Sequence, residues 1–327
     1  MSSSPYLISF IVPFYNNEDY IVAALSSLLN QVTPDVEIVI IDDGSTDSSG
    51  TLVKEYLATL NLPQVTFISQ KNGGVAHARN VGLAHVTGRY TAFLDGDDLL
   101  SPDFLNTLRP ILIDEAYDIV EFNYQKFDQH PPLPSSQKQV KLVEYDFSKS
   151  GLDCLTPVFT KSLWHLPTRV YKHTLLAGES FPIGRRYEDV IFTPFIYFKS
   201  RKIAHLDQIF YFYRDNSQSI TRNIKPKDID DLLFAIDKMV SFAISHQNDQ
   251  QIRNLAALMI INCLANVKSM TKALYGYYRY DGHTLKTFRS AAAICQGTSI
   301  PTKKVWQLRY PQVDTWLSKI RWQLKKR

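Results

Sequence analysis

With 327 residues, 45% hydrophobic and 21% charged, the chain has material for one large domain, or a domain with an extension, around a sizeable core. Cys154, Cys263 and Cys295 are odd in number, far apart and without metal spacing, which argues against a disulfide framework and fits a reducing compartment. The net charge of +4 is unevenly placed: residues 303–327 carry +7 and residues 1–302 carry −3, so the protein has a basic tail rather than a basic body.

The start, Met1-Ser2-Ser3-Ser4-Pro5, lacks the charge and cleavage pattern of a signal peptide, and no apolar run reaches the roughly 18 residues that predict a membrane-spanning helix. Residues 6–12 predict a strand stopped by Pro13, and helical spacing predicts a helix over residues 21–29 with Asn17, Glu18 and Asp19 at its start. Residues 37–41 predict a second strand, followed by Asp42-Asp43-Gly44-Ser45-Thr46-Asp47 and a helix over about residues 48–60. A third strand is expected at 65–69. Asn72-Gly73-Gly74 then turns into a helix over about 75–84, and residues 90–94 predict the fourth strand. Strands apolar on both faces, alternating with helices, predict a mostly parallel sheet in an α/β fold.

Downstream, residues 102–112 read as a helix and 117–127 as a strand, while the Pro/Ser/Gln stretch 130–139 reads as a mobile loop. Regular structure is expected at 169–176 and 190–198, and an aromatic strand at 209–213. After Pro226 long helical patterns take over, so a boundary is placed near residue 225.

Ligands of such sheets sit outside the carboxyl ends of the strands. Three polar clusters fall there, at residues 13–19, 42–47 and 95–98. The last is the most telling. Tyr90-Thr91-Ala92-Phe93-Leu94 runs straight into Asp95-Gly96-Asp97-Asp98, and crowded carboxylates at a strand end repel one another unless a cation relieves them. Magnesium and manganese prefer carboxylate oxygens and share their shell with substrate phosphates, so this loop predicts a metal–diphosphate site. A turn with Asx hydrogen bonds suits the same residues.

Asp42 and Asp43 exceed what a helix cap needs, and a carboxylate there suits the imide N–H of a uracil; Asp47 reads as a cap. In the loop after the first strand, Phe14 suits a core plug, while Pro13 and Tyr15 suit a nucleobase wall. Asn72-Gly73-Gly74 is neither the dinucleotide fingerprint nor a P-loop, yet a helix N-terminus suits anions, and Arg79 lies on its first turns. Glu188 and Asp189 fit a helix's first turn by the dipole alone as well as they fit catalysis. Arg214 ends the aromatic strand. His77, His130, His165, His173 and His205 share no spacing, and no zinc site is expected.

Six segments in order carry a resemblance: residues 11–16, 40–47, 72–75 with 78–80, 93–98, 187–189, and 211–214 followed by 217–221. Together, over about residues 6–222, they resemble an inverting family 2 glycosyltransferase with a GT-A fold, of the kind that builds bacterial surface polysaccharides. The resemblance implies a catalytic domain over residues 1–225, a helical extension over 226–302 and the basic tail at 303–327. It implies that Pro13, Tyr15, Asp42 and Arg79 hold the uridine of a nucleotide sugar, with Asn16, Glu18, Asp43, Gly73 and Gly96 on the same donor-binding loops. Asp95 would lie against ribose and metal, Asp97 would ligate Mn2+ or Mg2+ on the diphosphate, and Arg214 would approach that diphosphate. Asp189 would be the general base, with Glu188 beside it. The chemistry suits these roles: a cation stabilises the leaving diphosphate, a carboxylate opposite takes the acceptor proton, and a single displacement inverts the sugar carbon.

The chain departs from the family at residues 164–171, where a Trp-Asn/His-Lys-Leu-Tyr type segment is usual. Trp164 on this acceptor side suits either stacking on a sugar ring or a core position. Val313, Trp316, Leu317, Ile320 and Leu324 fall on one helix face opposite Lys and Arg, with Trp322 off it, which suits an anchor on the cytoplasmic membrane surface or docking on the body or on a second subunit of a homodimer. The expected acceptor is a glycan or lipid-linked glycan at that surface; nucleic-acid binding has no supporting motif. Two other functions compete. A non-catalytic nucleotide-sugar-binding subunit is disfavoured by the intact Asp95, Asp97 and Asp189. A sugar nucleotidyltransferase is expected to carry a glycine-rich basic loop after the first strand, and residues 13–17 are not one.

Overall fold

A computed structural model of the chain describes residues 4–129, 140–215 and 223–325. The expected loop at 130–139 and the segment 217–221 lie outside the described residues. The first elements are β1 (Ile8–Phe14), α1 (Ile21–Leu29), β2 (Val36–Asp42), α2 (Ser49–Ala58), β3 (Val65–Ser69), α3 (Val75–His85) and β4 (Tyr90–Phe93). Then come β5 (Leu99–Leu100), α4 (Phe104–Ile113), β6 (Ile119–Phe127), β7 (Leu142–Asp146), α5 (Phe147–Ser150), α6 (Thr156–Lys161), β8 (Arg169–Lys172), α7 (His173–Leu176), α8 (Glu188–Lys199) and β9 (Lys202–Arg214). The chain continues through α9 (Pro226–Ser245), α10 (Gln250–Tyr275), α11 (Gly282–Cys295), α12 (Thr302–Arg309) and α13 (Pro311–Lys325).

These elements form two compact units. The first comprises Met1–Asp146, His165–Gly184 and Phe195–Ser217; the second comprises Phe147–Trp164, Arg185–Pro194 and Gln218–Arg327. α9 starts at Pro226, and two earlier segments belong with the helices that follow it.

The first unit holds one sheet in the order β3-β2-β1-β4-β8-β6-β9-β5, with β7 paired to β9. β3, β2, β1 and β4 are parallel, as the alternation of apolar strands and helices predicts. Beyond them the sheet is mixed: β8 is antiparallel to β4 and β6, β9 is parallel to β6, and β5 and β7 are antiparallel to β9. β5 has two residues and β7 exposes Leu142 and Val143, so neither shows the buried alternation that marks a strand in sequence.

Every residue of β1 is buried, and the strand runs through Pro13 instead of stopping there. The reason lies in the ladder. Ile11 O accepts from Leu94 N, so residues 11 and 13 point their backbone groups toward β4, whose pairing has ended by Pro13. Its missing N–H therefore costs no bond. Phe10 meets Phe104 of α4 edge to face at 5.8 Å on one sheet side, within a core that includes Leu25 and Leu28 of α1. On the other side α3 approaches so closely that a Cβ on Gly82 would lie 2.4 Å from Ile11 Cγ2.

The second unit is helical. α9 buries Ile229, Leu232, Leu233, Ile236, Met239, Val240 and Ala243, a stripe at helical spacing, and α10 buries a matching one. Asp249 caps α10 by accepting from Ile252 N, and Gly276 ends it at φ +81°. Segment 147–164 joins this unit through Asn262, whose Nδ2 donates to Phe159 O at 3.1 Å and Ser162 Oγ at 2.6 Å. Among the described residues no helix is long and apolar enough to cross a membrane.

Candidate active site

In the first unit, the loops after β1, β2 and β4 and the turn into α3 are stitched together at the carboxyl ends of the parallel strands. Asn16, held at φ +51°, accepts from Thr46 N at 2.8 Å and donates its own N–H to Ser45 Oγ at 3.1 Å. Glu18 accepts from Ser48 N at 2.9 Å. Asp47 accepts from Ser49 N and Glu18 N; burial opposes its ionisation, but the Ser49 hydroxyl and these N–H groups together hold its carboxyl below the ordinary range. Asn16 and Glu18 thus spend their side chains joining two loops. Phe14 is the buried plug expected, 6.4 Å from Phe67, and Tyr15 is exposed at the rim.

The two acids after β2 divide their work. Asp43, 2% exposed, accepts from Gln70 Nε2 at 2.7 Å, Gly73 N at 2.9 Å and Gly74 N at 2.7 Å. It is a clamp for the turn into α3. Gly73 packs against the His77 ring, where a Cβ would come within 2.7 Å, and Gly74 needs its positive φ of +84°. Asp42 accepts from Ser45 N at 2.8 Å and Ser69 Oγ at 3.4 Å.

The carboxylate loop divides in the same way. Asp98, 1% exposed, accepts from the Tyr211 hydroxyl at 2.6 Å and from Arg214 N at 2.7 Å, which ties the loop to β9. Asp95 is held by Arg79 Nη2 at 2.7 Å, and its own N–H reaches the Tyr211 oxygen at 3.3 Å. The Asp97 carboxylate receives no hydrogen bond from another described residue. Burial, and then the neighbouring Asp95 charge, push its carboxyl up to about 6. Burial followed by Asp97 and Asp95 pushes Asp98 well above the carboxylate range. Gly96 is required by close approach, since a Cβ there would lie 2.6 Å from Phe14 Cβ. Arg214 lies between two rings, 4.6 Å from Tyr20 and 4.5 Å from Phe127, and donates Nε to Asp97 O at 2.8 Å.

No group of three or more His, Cys, Asp or Glu side chains able to enclose a metal occurs among the described residues. A divalent cation completed by substrate phosphates needs only one or two carboxylates. Asp97, raised in pKa and still open, with Asp95 beside it, fits that donor set.

His165 also belongs to the first unit. Its ring meets Tyr124 at 4.9 Å and Tyr213 at 6.1 Å, and its buried Nδ1 has no hydrogen-bond partner among the described residues. Burial, then the Arg169 and Lys126 charges, lower its pKa to about 4, so it is neutral. Arg169 Nη1 holds the His165 carbonyl at 2.7 Å, while Tyr197 links Arg169 to buried Glu121.

The second unit carries the acids at the start of α8. Asp189 Oδ1 accepts from Val190 N at 2.8 Å. The chain reaches them through Tyr187, at a rare φ of +61°. α9 holds this approach. Fully buried Asp231 accepts from Arg186 N and Arg185 Nη1, both at 3.0 Å, and Asp228 takes Arg186 Nη1 with both oxygens at 3.1 and 3.0 Å. Trp164 is 3% exposed with its ring edge-on to Phe159 at 5.0 Å, a core position and not an open stacking platform.

Sequence reasoning did not find Tyr211, Asp228, Asp231 or His165. Tyr211 lies in a segment read as an aromatic strand and as one of the six resembling segments, with no role given to its hydroxyl. Asp228 and Asp231 share one face of a helix whose apolar stripe dominates its pattern.

A parallel half-sheet with clamped acids at its carboxyl ends is the architecture of a GT-A glycosyltransferase, and comparison with known proteins agrees. Residues 9–173 match the family model for glycosyl transferase family 2. The chain is 30% identical over 226 residues to glycosyltransferase GlyA of Streptococcus pneumoniae serotype 4, covering 66% of this chain and 31% of GlyA. It is 30% identical over 226 residues to GlyG of the same organism, covering 66% of this chain and 73% of GlyG. The chain belongs to family 2. Its fold is that of TarS 1–349 from S. aureus, solved in complex with UDP-GlcNAc: TM-score 0.71, 20% identity, over 94% of this chain and 88% of that one.

Proposed function

We propose that this chain is an inverting glycosyltransferase that moves a sugar from a UDP-sugar to a hydroxyl of a glycan or lipid-linked glycan in bacterial surface-polysaccharide synthesis. The observation that carries this reading is the carboxylate loop, where Asp98 is consumed by Tyr211 and Arg214 while Asp97 stays open beside an Asp95 fixed by Arg79. The TarS complex with UDP-GlcNAc supports the donor class, and the GlyA and GlyG matches support glycosyl transfer.

Asp42, at the end of β2, is assigned to the uracil imide, with Tyr15 as a wall of the base pocket. Arg79 keeps Asp95 oriented toward ribose. Asp95 and Asp97 would hold Mn2+ or Mg2+, which when bound supplies positive charge to the leaving diphosphate. Arg214 adds a fixed guanidinium, restrained by two rings, on the diphosphate side. Asp189 accepts the proton of the acceptor hydroxyl as its oxygen attacks the anomeric carbon, with Glu188 beside it. The enzyme is assigned to the cytoplasmic side of the membrane, where nucleotide sugars are found.

The test is UDP release from the purified chain across a panel of nucleotide sugars, with Mn2+ or Mg2+ present. Transfer from one UDP-sugar, lost in Asp189→Asn while UDP still binds, is the expected result. Full transfer by Asp189→Asn, or full UDP binding by Asp97→Ala with metal present, would remove the corresponding assignment. Binding without turnover would instead favour a non-catalytic subunit.

A further inference from the structure

The last two helices of the second unit leave an apolar face uncovered. α13 rests on the preceding segment along one side only. Asp314 accepts from Lys268 Nζ at 2.5 Å and from the Tyr280 hydroxyl at 3.4 Å. Ser318 Oγ accepts from Tyr278 N at 3.0 Å, and the Trp322 ring lies 5.6 Å from that of Tyr277. A Cβ on Gly276 would come within 2.3 Å of Trp322 Nε1, so the fit is close. Residues 314, 318 and 322 form a single stripe at i, i+4 and i+8.

Val313, Trp316, Leu317, Ile320 and Leu324 point the other way, spanning about 100° of the helix circumference. Trp316 is 62% exposed and Leu324 66% exposed, and Val313 and Leu317 are exposed as well. This inverts the usual surface helix, whose apolar stripe faces the protein. Core packing therefore does not account for these residues. At about 100° per residue, Lys319 and Arg321 fall on opposite flanks of the apolar face. α12 adds exposed Trp306, 5.5 Å from the ring of exposed Tyr310 just after the helix, and exposed Lys303, Lys304 and Arg309.

We propose that α12 and α13 lie on an anionic bilayer surface. Trp316, Leu317 and Leu324 enter the boundary between headgroups and acyl chains, and the flanking Lys and Arg meet lipid phosphates. Charge selects this occupant. Residues 303–327 carry +7, so a two-fold contact between copies would set the basic patch against itself, whereas an anionic membrane complements it. The proposal goes beyond the donor and base chemistry and does not depend on it.

The experiment is co-sedimentation of the full chain with vesicles of phosphatidylcholine alone or mixed with phosphatidylglycerol, alongside light scattering. Binding to the mixed vesicles, weakened by salt, is expected. Replacing Trp316, Leu317 and Leu324 together by Ser should cut partitioning about tenfold or more with an unchanged melting temperature. Lys319→Glu with Arg321→Glu should weaken it too. Failure to bind mixed vesicles, or equal binding by the triple variant, overturns the proposal. So does a wild-type dimer that the triple variant converts to monomer. UDP binding without vesicles is measured in parallel, so that failure of the transferase reading registers separately.

Discussion

Asp231→Asn tests whether α9 positions the catalytic approach. Asp231 is fully buried and serves two donors, Arg186 N and Arg185 Nη1. Asparagine has one carbonyl oxygen, so one donor loses its acceptor and faces an NH2 group. Losing a charge-assisted bond costs about 1.5–3 kcal/mol, and leaving a buried donor unsatisfied costs about 1–3 kcal/mol. Because the Arg185 side chain is 33% exposed and can turn to water, the discounted total is about 3 kcal/mol. The freed N–H adjoins Tyr187, whose φ of +61° is a strain of about 1 kcal/mol that relaxes once the clamp opens. That relaxation shifts the two acids that follow. Urea unfolding should report the loss of stability, and steady-state transfer should report a kcat about 10- to 100-fold lower. UDP affinity should be unchanged, because the loops assigned above to the nucleotide lie in the first unit. Wild-type kcat despite the expected loss of stability would refute the positioning role; an equal loss of UDP affinity would refute its separation from donor binding.

The carboxylate loops give further expectations. Asp97→Asn should lower metal-dependent UDP binding at least about tenfold without destabilising the fold, since it removes a half-buried like charge beside Asp95; calorimetry with and without Mn2+ reads both effects. Chelation with EDTA should abolish transfer, and added Mn2+ or Mg2+ should restore it. Asp43→Ala should cost about 3–4 kcal/mol in urea unfolding, since two backbone N–H groups and Gln70 lose their acceptor. His165, with its pKa lowered from 6.5 to about 4, contributes stability above pH 6.5 that is lost as pH falls toward 4, at most about 3 kcal/mol. The difference in unfolding free energy between the wild type and His165→Asn should therefore shrink over that window. A flat difference would show that the histidine titrates normally.

The parallel half of the sheet was legible because β1, β2 and β4 are apolar on both faces and α1 carries a clear apolar period. The helix at 21–29 and the strand at 65–69 coincide with α1 and β3. The mixed half was legible only in part: the strands expected at 117–127 and 209–213 fall on β6 and within β9. β8 is four residues, β5 two, and β9 is interrupted by Asp207 and Gln208, so local periodicity carried little signal. Residue types marked the acidic loops but did not say which acid of each pair is engaged. That depends on partners distant in sequence: Gln70 and Gly74 for Asp43, Tyr211 and Arg214 for Asp98. The second unit's reach back to residues 147–164 and 185–194 rests on single polar side chains, Asn262, Asp228 and Asp231, which helix patterning treats as noise.

That reach back bears on where the chain can be cut. The family match ends at residue 173, and the change in sequence character near 225 marks an inviting place to truncate. A fragment ending there retains every strand of the sheet and every nucleotide-side acid. It loses both carboxylates that hold the approach to Asp189. On the roles proposed above, the smallest portable unit for donor recognition is shorter than the smallest unit able to turn over, and grafting a new acceptor preference onto this scaffold requires α9 to travel with residues 185–189.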